Sequence, residues 1–107
     1  MFSEQRQSPR KILKVKAGFV PEDGAAAVAG RSLDVGSNGM CITLAGPLKM
    51  GQAGQLSFEL FLDGKASTID TRSKVVYCIF SNGEFKVGFQ FLNLALSAMA
   101  QLARYLR

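Results

Sequence analysis

The chain has 107 residues, 48% of them apolar and 20% charged, and a formal net charge of +5. That length supports one domain around one hydrophobic core, and the balance excludes disorder over most of the chain. No apolar run approaches the roughly 20 residues that cross a bilayer, and the chain has no histidine and two cysteines, which argues against membrane insertion, a metal site and the usual general base.

Residues 1–9 are polar, end in Pro9 and bury nothing, so they read as a flexible basic arm ahead of a domain over residues 10–107. From Leu13 the pattern alternates. Leu13, Val15, Ala17 and Phe19 take one face and Lys14 and Lys16 the other, as in a half-buried strand. Pro21-Glu22-Asp23-Gly24 turns the chain into a second strand over Ala27–Val35, which ends at a Gly36–Gly39 turn. Met40, Ile42 and Leu44 alternate with Cys41 and Thr43 in a third, and Gly46-Pro47 and Gly51 to Gly54 mark a loop.

Leu56, Phe58, Leu60 and Leu62 alternate up to Asp63-Gly64, a two-residue hairpin signal. The returning strand starts at Lys65 and continues with a bend through Val75, Tyr77 and Ile79 to a second turn at Ser81-Asn82-Gly83-Glu84. Phe85, Val87, Phe89 and Phe91 then share one face, which reads as core and not as a base-stacking platform. Short strands at this spacing with glycine turns predict an all-β antiparallel barrel of about six strands. The last segment differs: Leu96, Met99, Leu102 and Leu106 recur at three and four residues, a helix capped by Asn93 or Ser97 and packed across the barrel end.

Two short motifs carry chemistry. Arg6-Gln7-Ser8-Pro9-Arg10 places two guanidinium forks four residues apart, each suited to phosphates and guanine edges. Asp34-Val35-Gly36-Ser37-Asn38-Gly39 places a carboxylate beside a glycine-rich turn where backbone amides can approach a ligand. Together they describe a nucleotide pocket. Taken alone, Asp34 is equally a turn cap on the amides of Gly36 or Ser37. Arg31, Arg72 and Lys74 offer further positive charge on strand positions, and five of the thirteen basic residues fall within residues 1–16. No serine or cysteine has a partner that would make it a nucleophile, so no catalysis is expected. Cys41 and Cys78 read as buried, reduced thiols, and the absence of an N-terminal apolar stretch predicts a cytoplasmic protein.

RxxxR, then a strand, then DxGxxG opening a Met-Cys-Ile strand resembles the PilZ domain family, and Phe85 to Asn93 resembles that family's final strand and its run-out toward a helix. The resemblance spans Arg6 to about Leu106. RxxxR alone is a weak motif; both motifs in this order on a β-barrel pattern are more specific. PilZ domains are bacterial receptors for cyclic di-GMP, a second messenger governing motility and biofilm formation. The resemblance implies that Arg6 and Arg10 contact the ligand's phosphates and guanine faces, that Asp34 accepts from a guanine edge, and that the Gly36 and Gly39 turn stays open for the base. The family's usual serine falls on Gly36 here, which forfeits a hydroxyl contact of about 1 kcal/mol, or roughly fivefold in affinity.

The expected function is a non-catalytic receptor, needing no cofactor, that binds cyclic di-GMP and signals to a downstream protein. Two alternatives remain at this point: a PilZ-like adaptor that no longer binds ligand, and a small basic barrel that binds nucleic acid. Few aromatic residues are interleaved with basic ones on one face, which disfavours the latter. Oligomeric state and partner are not specified by the sequence.

Overall fold

A computed structural model describes residues 10–107. Seven strands and one helix follow in order: β1 (Arg10–Ile12), β2 (Lys16–Pro21), β3 (Val28–Gly36), β4 (Gly39–Leu44), β5 (Ala53–Leu62), β6 (Lys65–Ser81), β7 (Glu84–Phe91) and α1 (Leu96–Leu106). Every pairing is antiparallel, and the circuit β2–β5–β6–β7–β4–β3 returns to β2. β1 prolongs the β2 edge along β3. The result is a closed six-stranded barrel, which leaves no long open edge.

Alternation along the strands builds the core. Phe19, Val35, Met40, Ile42, Leu56, Leu60 and Val87 are all buried. The Phe19 and Phe89 rings meet at 4.9 Å and those of Phe58 and Phe91 at 6.0 Å, so the aromatics predicted to be core tie opposite walls of the barrel together. Both hairpins form where the turn residues place them. Asp63 and Gly64 have φ of 52° and 78°, and Asn82 and Gly83 of 54° and 81°, the pair of positive angles that lets a two-residue turn follow the strand twist.

Three features depart from the sequence expectation. The first strand is not continuous from Leu13: β1 begins at Arg10, and the chain bends through Leu13–Val15 before β2. The cause lies on β3. The buried Ser32 hydroxyl accepts from the Val15 amide (3.0 Å) and donates to the Leu13 carbonyl, holding the bend in place of a regular ladder. The helix is capped by neither Asn93 nor Ser97; its N-cap is Ala95, which provides no side-chain bond, and Asn93 sits at a φ of 51°. The buried face of α1 is Ala98 and Leu102, flanked by Tyr105 and Leu106, whereas Leu96 and Met99 are exposed. The expected arm over residues 1–9 lies outside the described residues.

α1 closes one barrel end and clamps two elements. Tyr105 donates to the Ile12 carbonyl (3.3 Å) and its ring carries the Lys11 ammonium at 5.1 Å, which fixes β1. Gln101 reaches Ser67 at 3.2 Å and Arg104 pairs with Asp63, which fixes the β5–β6 hairpin. None of the described helices is long and apolar enough to cross a membrane.

Candidate ligand-binding site

The described site residues converge on the outer barrel surface around β3 and β4. Strand alternation alone would point Asp34 inward, because Ser32 two residues earlier is fully buried. A bulge prevents this. The β3–β4 register runs Arg31↔Thr43 and Ser32↔Ile42, then shifts to Asp34↔Cys41 and Val35↔Met40, leaving Leu33 as the extra residue. The inserted residue flips the phase, so Val35 enters the core and Asp34 faces out.

Arg10, on the neighbouring β1, meets it there. Its Nη2 donates to Asp34 Oδ1 at 2.5 Å and its Nε to the same oxygen at 3.2 Å. Asp34 Oδ2 makes no hydrogen bond among the described residues. The two side chains keep 30% and 38% of their surface exposed, so the pair is open to an incoming ligand. Asp34 is therefore a strand residue in an ion pair, and no cap on the Gly36 or Ser37 amide is formed.

Gly36 closes β3 opposite Arg10, and an exposed Ser37-Asn38 turn leads into Gly39. Gly39 owes its identity to packing: a Cβ there would collide with the Phe89 backbone carbonyl on β7. The Asn38 carbonyl accepts from the Phe91 amide (2.8 Å), pinning the turn to β7. Behind the turn a cavity of about 460 Å³ separates Ser37 and Asn38 from Met99 and Leu102 of α1. Arg6 lies outside the described residues.

The other basic candidates divide. Arg72 is engaged elsewhere, donating to Glu22 Oε2 at 2.5 Å and Oε1 at 3.0 Å, and this bonding holds the Glu22 carboxyl below its ordinary value. Lys74 aligns with Gln90, which aligns with Gly39, so it borders the turn. Arg31 lies between Lys16 and Thr43, and Thr43 aligns with Lys86, which makes a basic row one step along the barrel from Asp34.

A residue that the sequence does not single out joins the site. Tyr77 aligns with Gly88, Gly88 with Cys41 and Cys41 with Asp34, one strip across four strands. Burial pushes the Tyr77 hydroxyl up to about 12, the neighbouring Cys41 and Asp34 act in the same direction, and Arg10 pulls the other way. Cys41 is buried, while Cys78 is half-buried; both are free thiols. No group of metal-ligating side chains occurs among the described residues.

Comparison with known proteins agrees with this architecture. The inhibitor of motility MotI/DgrA of Bacillus subtilis superposes with a TM-score of 0.85 at 18% identity, over 96% of this chain and 50% of that one. YcgR of Escherichia coli, in complex with c-di-GMP, gives 0.77 at 18% identity over 94% of this chain and 44% of that one. The PilZ domain of YcgR with c-di-GMP gives 0.73 at 17% identity, covering 96% and 89%. The chain thus spans about half the length of the first two structures. No curated protein matches it significantly in sequence. The family profile of the PilZ domain, however, matches residues 4–107, nearly the whole chain: the protein belongs to the PilZ domain family.

Proposed function

We propose that the protein is a receptor for cyclic di-GMP that performs no chemistry on its ligand and passes its occupancy to a partner protein. Family membership and two similar structures described with c-di-GMP support this reading. The single observation that carries it is the meeting of Arg10 and Asp34 on the outer face, where the Asp34 carboxylate can accept from a guanine edge. A carboxylate accepts from both N1–H and the 2-amino group of guanine, which a donor side chain cannot do.

Energetics favour exchange of this pair for a ligand. An exposed ion pair is worth about 0.2–1 kcal/mol, whereas each charge-assisted bond to a phosphate or base contributes about 1.5–3 kcal/mol. Ligand binding swings Arg10 from Asp34 onto phosphate and frees the carboxylate for the base. Arg6 adds a second guanidinium to the same anion. Gly36 in place of serine weakens the complex by about fivefold without abolishing it. The Ser37-Asn38 turn lies between this site and α1, whose exposed Leu96 and Met99 offer the partner a surface that senses the turn.

Calorimetric titration with cyclic di-GMP, with GTP and a short oligonucleotide as controls, tests the proposal. Binding of cyclic di-GMP alone, well below millimolar, is expected. Silence toward all three favours a ligand-free adaptor, and binding of the oligonucleotide alone favours a nucleic-acid barrel.

A further inference from the structure

β6 is the longest strand of the barrel, and its two neighbours end at different places. On one side β5 reaches only to Ala53, aligned with Lys74; on the other β7 follows β6 to Ser81, aligned with Glu84. The loop ahead of β5 adds one step, the Gly51 amide donating to the Val75 carbonyl and the Val75 amide to the Gln52 carbonyl. Among the described residues, 76–81 therefore pair on the β7 side only. They form a short open edge beyond the point where the barrel closes.

The turn decides which main-chain groups face the open side. Asn82 and Gly83 make a two-residue hairpin, so Ser81 exchanges both of its bonds with Glu84, and Ile79 does the same with Lys86. Cys78 and Phe80 alternate with them and turn their N–H and C=O groups outward. No backbone bond from another strand or loop meets those groups among the described residues. Natural edges are blunted by charge, proline or bulges. Residues 75–81 read Val-Val-Tyr-Cys-Ile-Phe-Ser, strand-forming residues with neither charge nor proline, and the bulge at Val76 lies at the start of the edge. Ile79 and Phe80, on opposite faces of the strand, are 55% and 64% exposed.

We propose that this edge pairs with the same edge of a second copy of the chain, antiparallel, with the two-fold axis at Ile79. Cys78 then lies opposite the partner's Phe80, and Phe80 opposite the partner's Cys78. The outward N–H and C=O groups of both chains are satisfied in one step. On the outer face Ile79 meets the partner's Ile79 as a non-hydrogen-bonded pair, with Cα atoms about 4.5 Å apart. On the other face each Phe80 ring comes beside a Cys78 side chain. Apolar meets apolar in both layers, and no charge lies on the pairing segment. A second copy is the occupant this edge selects, because an isologous contact requires only that the segment complement itself, and this one does.

Sedimentation equilibrium of wild type and Ile79→Lys over a range of concentrations tests the proposal, with melting curves as the folding control. Wild type should move from one chain mass toward two as concentration rises. Ile79→Lys sets two ammonium groups against each other across the axis and should stay monomeric. Ile79→Cys supplies a second reading that holds even where the lysine variant melts early. The spacing at the axis lies within the range a disulfide spans, so mild oxidation should link two copies. Val20→Cys, at the same 55% exposure on β2, should not link. A wild type that is monomeric up to its solubility limit overturns the self-pairing, whether or not a strand of another protein takes the edge. A dimer that Ile79→Lys leaves intact, with Ile79→Cys unlinked, overturns it as well.

Discussion

Tyr77 and Gly88 share one space: the tyrosine ring lies where a side chain on Gly88 would begin. The glycine is required for this approach and not for its backbone angle, since Gly88 is absent from the positive-φ glycines of the described residues. Gly88→Ala must rotate the ring into solvent. Burial is the largest cause of the raised Tyr77 hydroxyl, so the variant's midpoint should fall from about 12 toward the ordinary 10.0. The sign for stability follows from the same shift. A raised folded value contributes stability that is complete below pH 10.0 and is lost as pH rises through about 12. With the ring more than a third exposed the effect is modest. Alkaline tyrosinate absorbance on a Tyr105→Phe background reads the midpoint, and an unchanged value in Gly88→Ala would show that Gly88 does not set the ring's position.

Gly39 behaves differently, because its obstacle is backbone. A Cβ there meets the Phe89 carbonyl, and no side chain can move aside. Gly39→Ala should cost about 1–3 kcal/mol of stability by overpacking. Urea denaturation checks this; a variant as stable as wild type would mean that β4 and β7 separate without penalty.

Ser32 governs the position of β1. Its hydroxyl serves both the Val15 amide and the Leu13 carbonyl, and Ser32→Ala leaves those groups without it. The expected loss is about 1–3 kcal/mol. Amide exchange at Val15 should quicken, and cyclic di-GMP affinity should fall with it because β1 carries Arg10. Faster exchange with unaltered affinity would separate the bend from the site.

Ser73 makes the opposite prediction. It is fully buried on β6, and its hydroxyl has no hydrogen-bond partner among the described residues. Ser73→Ala removes an unsatisfied polar group and should raise stability by about 1 kcal/mol. A lower melting temperature in the variant would indicate that the hydroxyl is satisfied.

What was legible in the sequence was local. Asp63-Gly64 and Asn82-Gly83 announce their hairpins because two adjacent residues hold the positive angles the turn needs. Val87, Phe89 and Phe91 are buried in the phase they were read in. The bulges at Leu33 and Val76 depend on register against strands that follow later in the chain, so no window around either residue reveals them. That is why Tyr77 was read only as one residue of a bending strand. The break at Leu13–Val15 was hidden likewise, since Ser32 lies seventeen residues beyond Val15. On α1, periodicity marked Leu96 and Met99 as core, but the helix buries Ala98 and Leu102, a face set by the barrel end it covers. Arg10 and Asp34 were found as motif residues; their contact belongs to the fold.

The most direct measurement is the affinity for cyclic di-GMP of wild type, Arg10→Ala and Asp34→Ala by calorimetry in one buffer. Their mutual ion pair is exposed and worth at most about 1 kcal/mol, so each variant should stay folded with little change in melting temperature. Each removes charge-assisted bonds to the ligand, and a loss of about 2 kcal/mol corresponds to roughly thirtyfold weaker binding. The account predicts at least that loss in both variants. Wild-type affinity retained in both would contradict it, and would make the Arg10–Asp34 pair a surface contact with no part in ligand recognition.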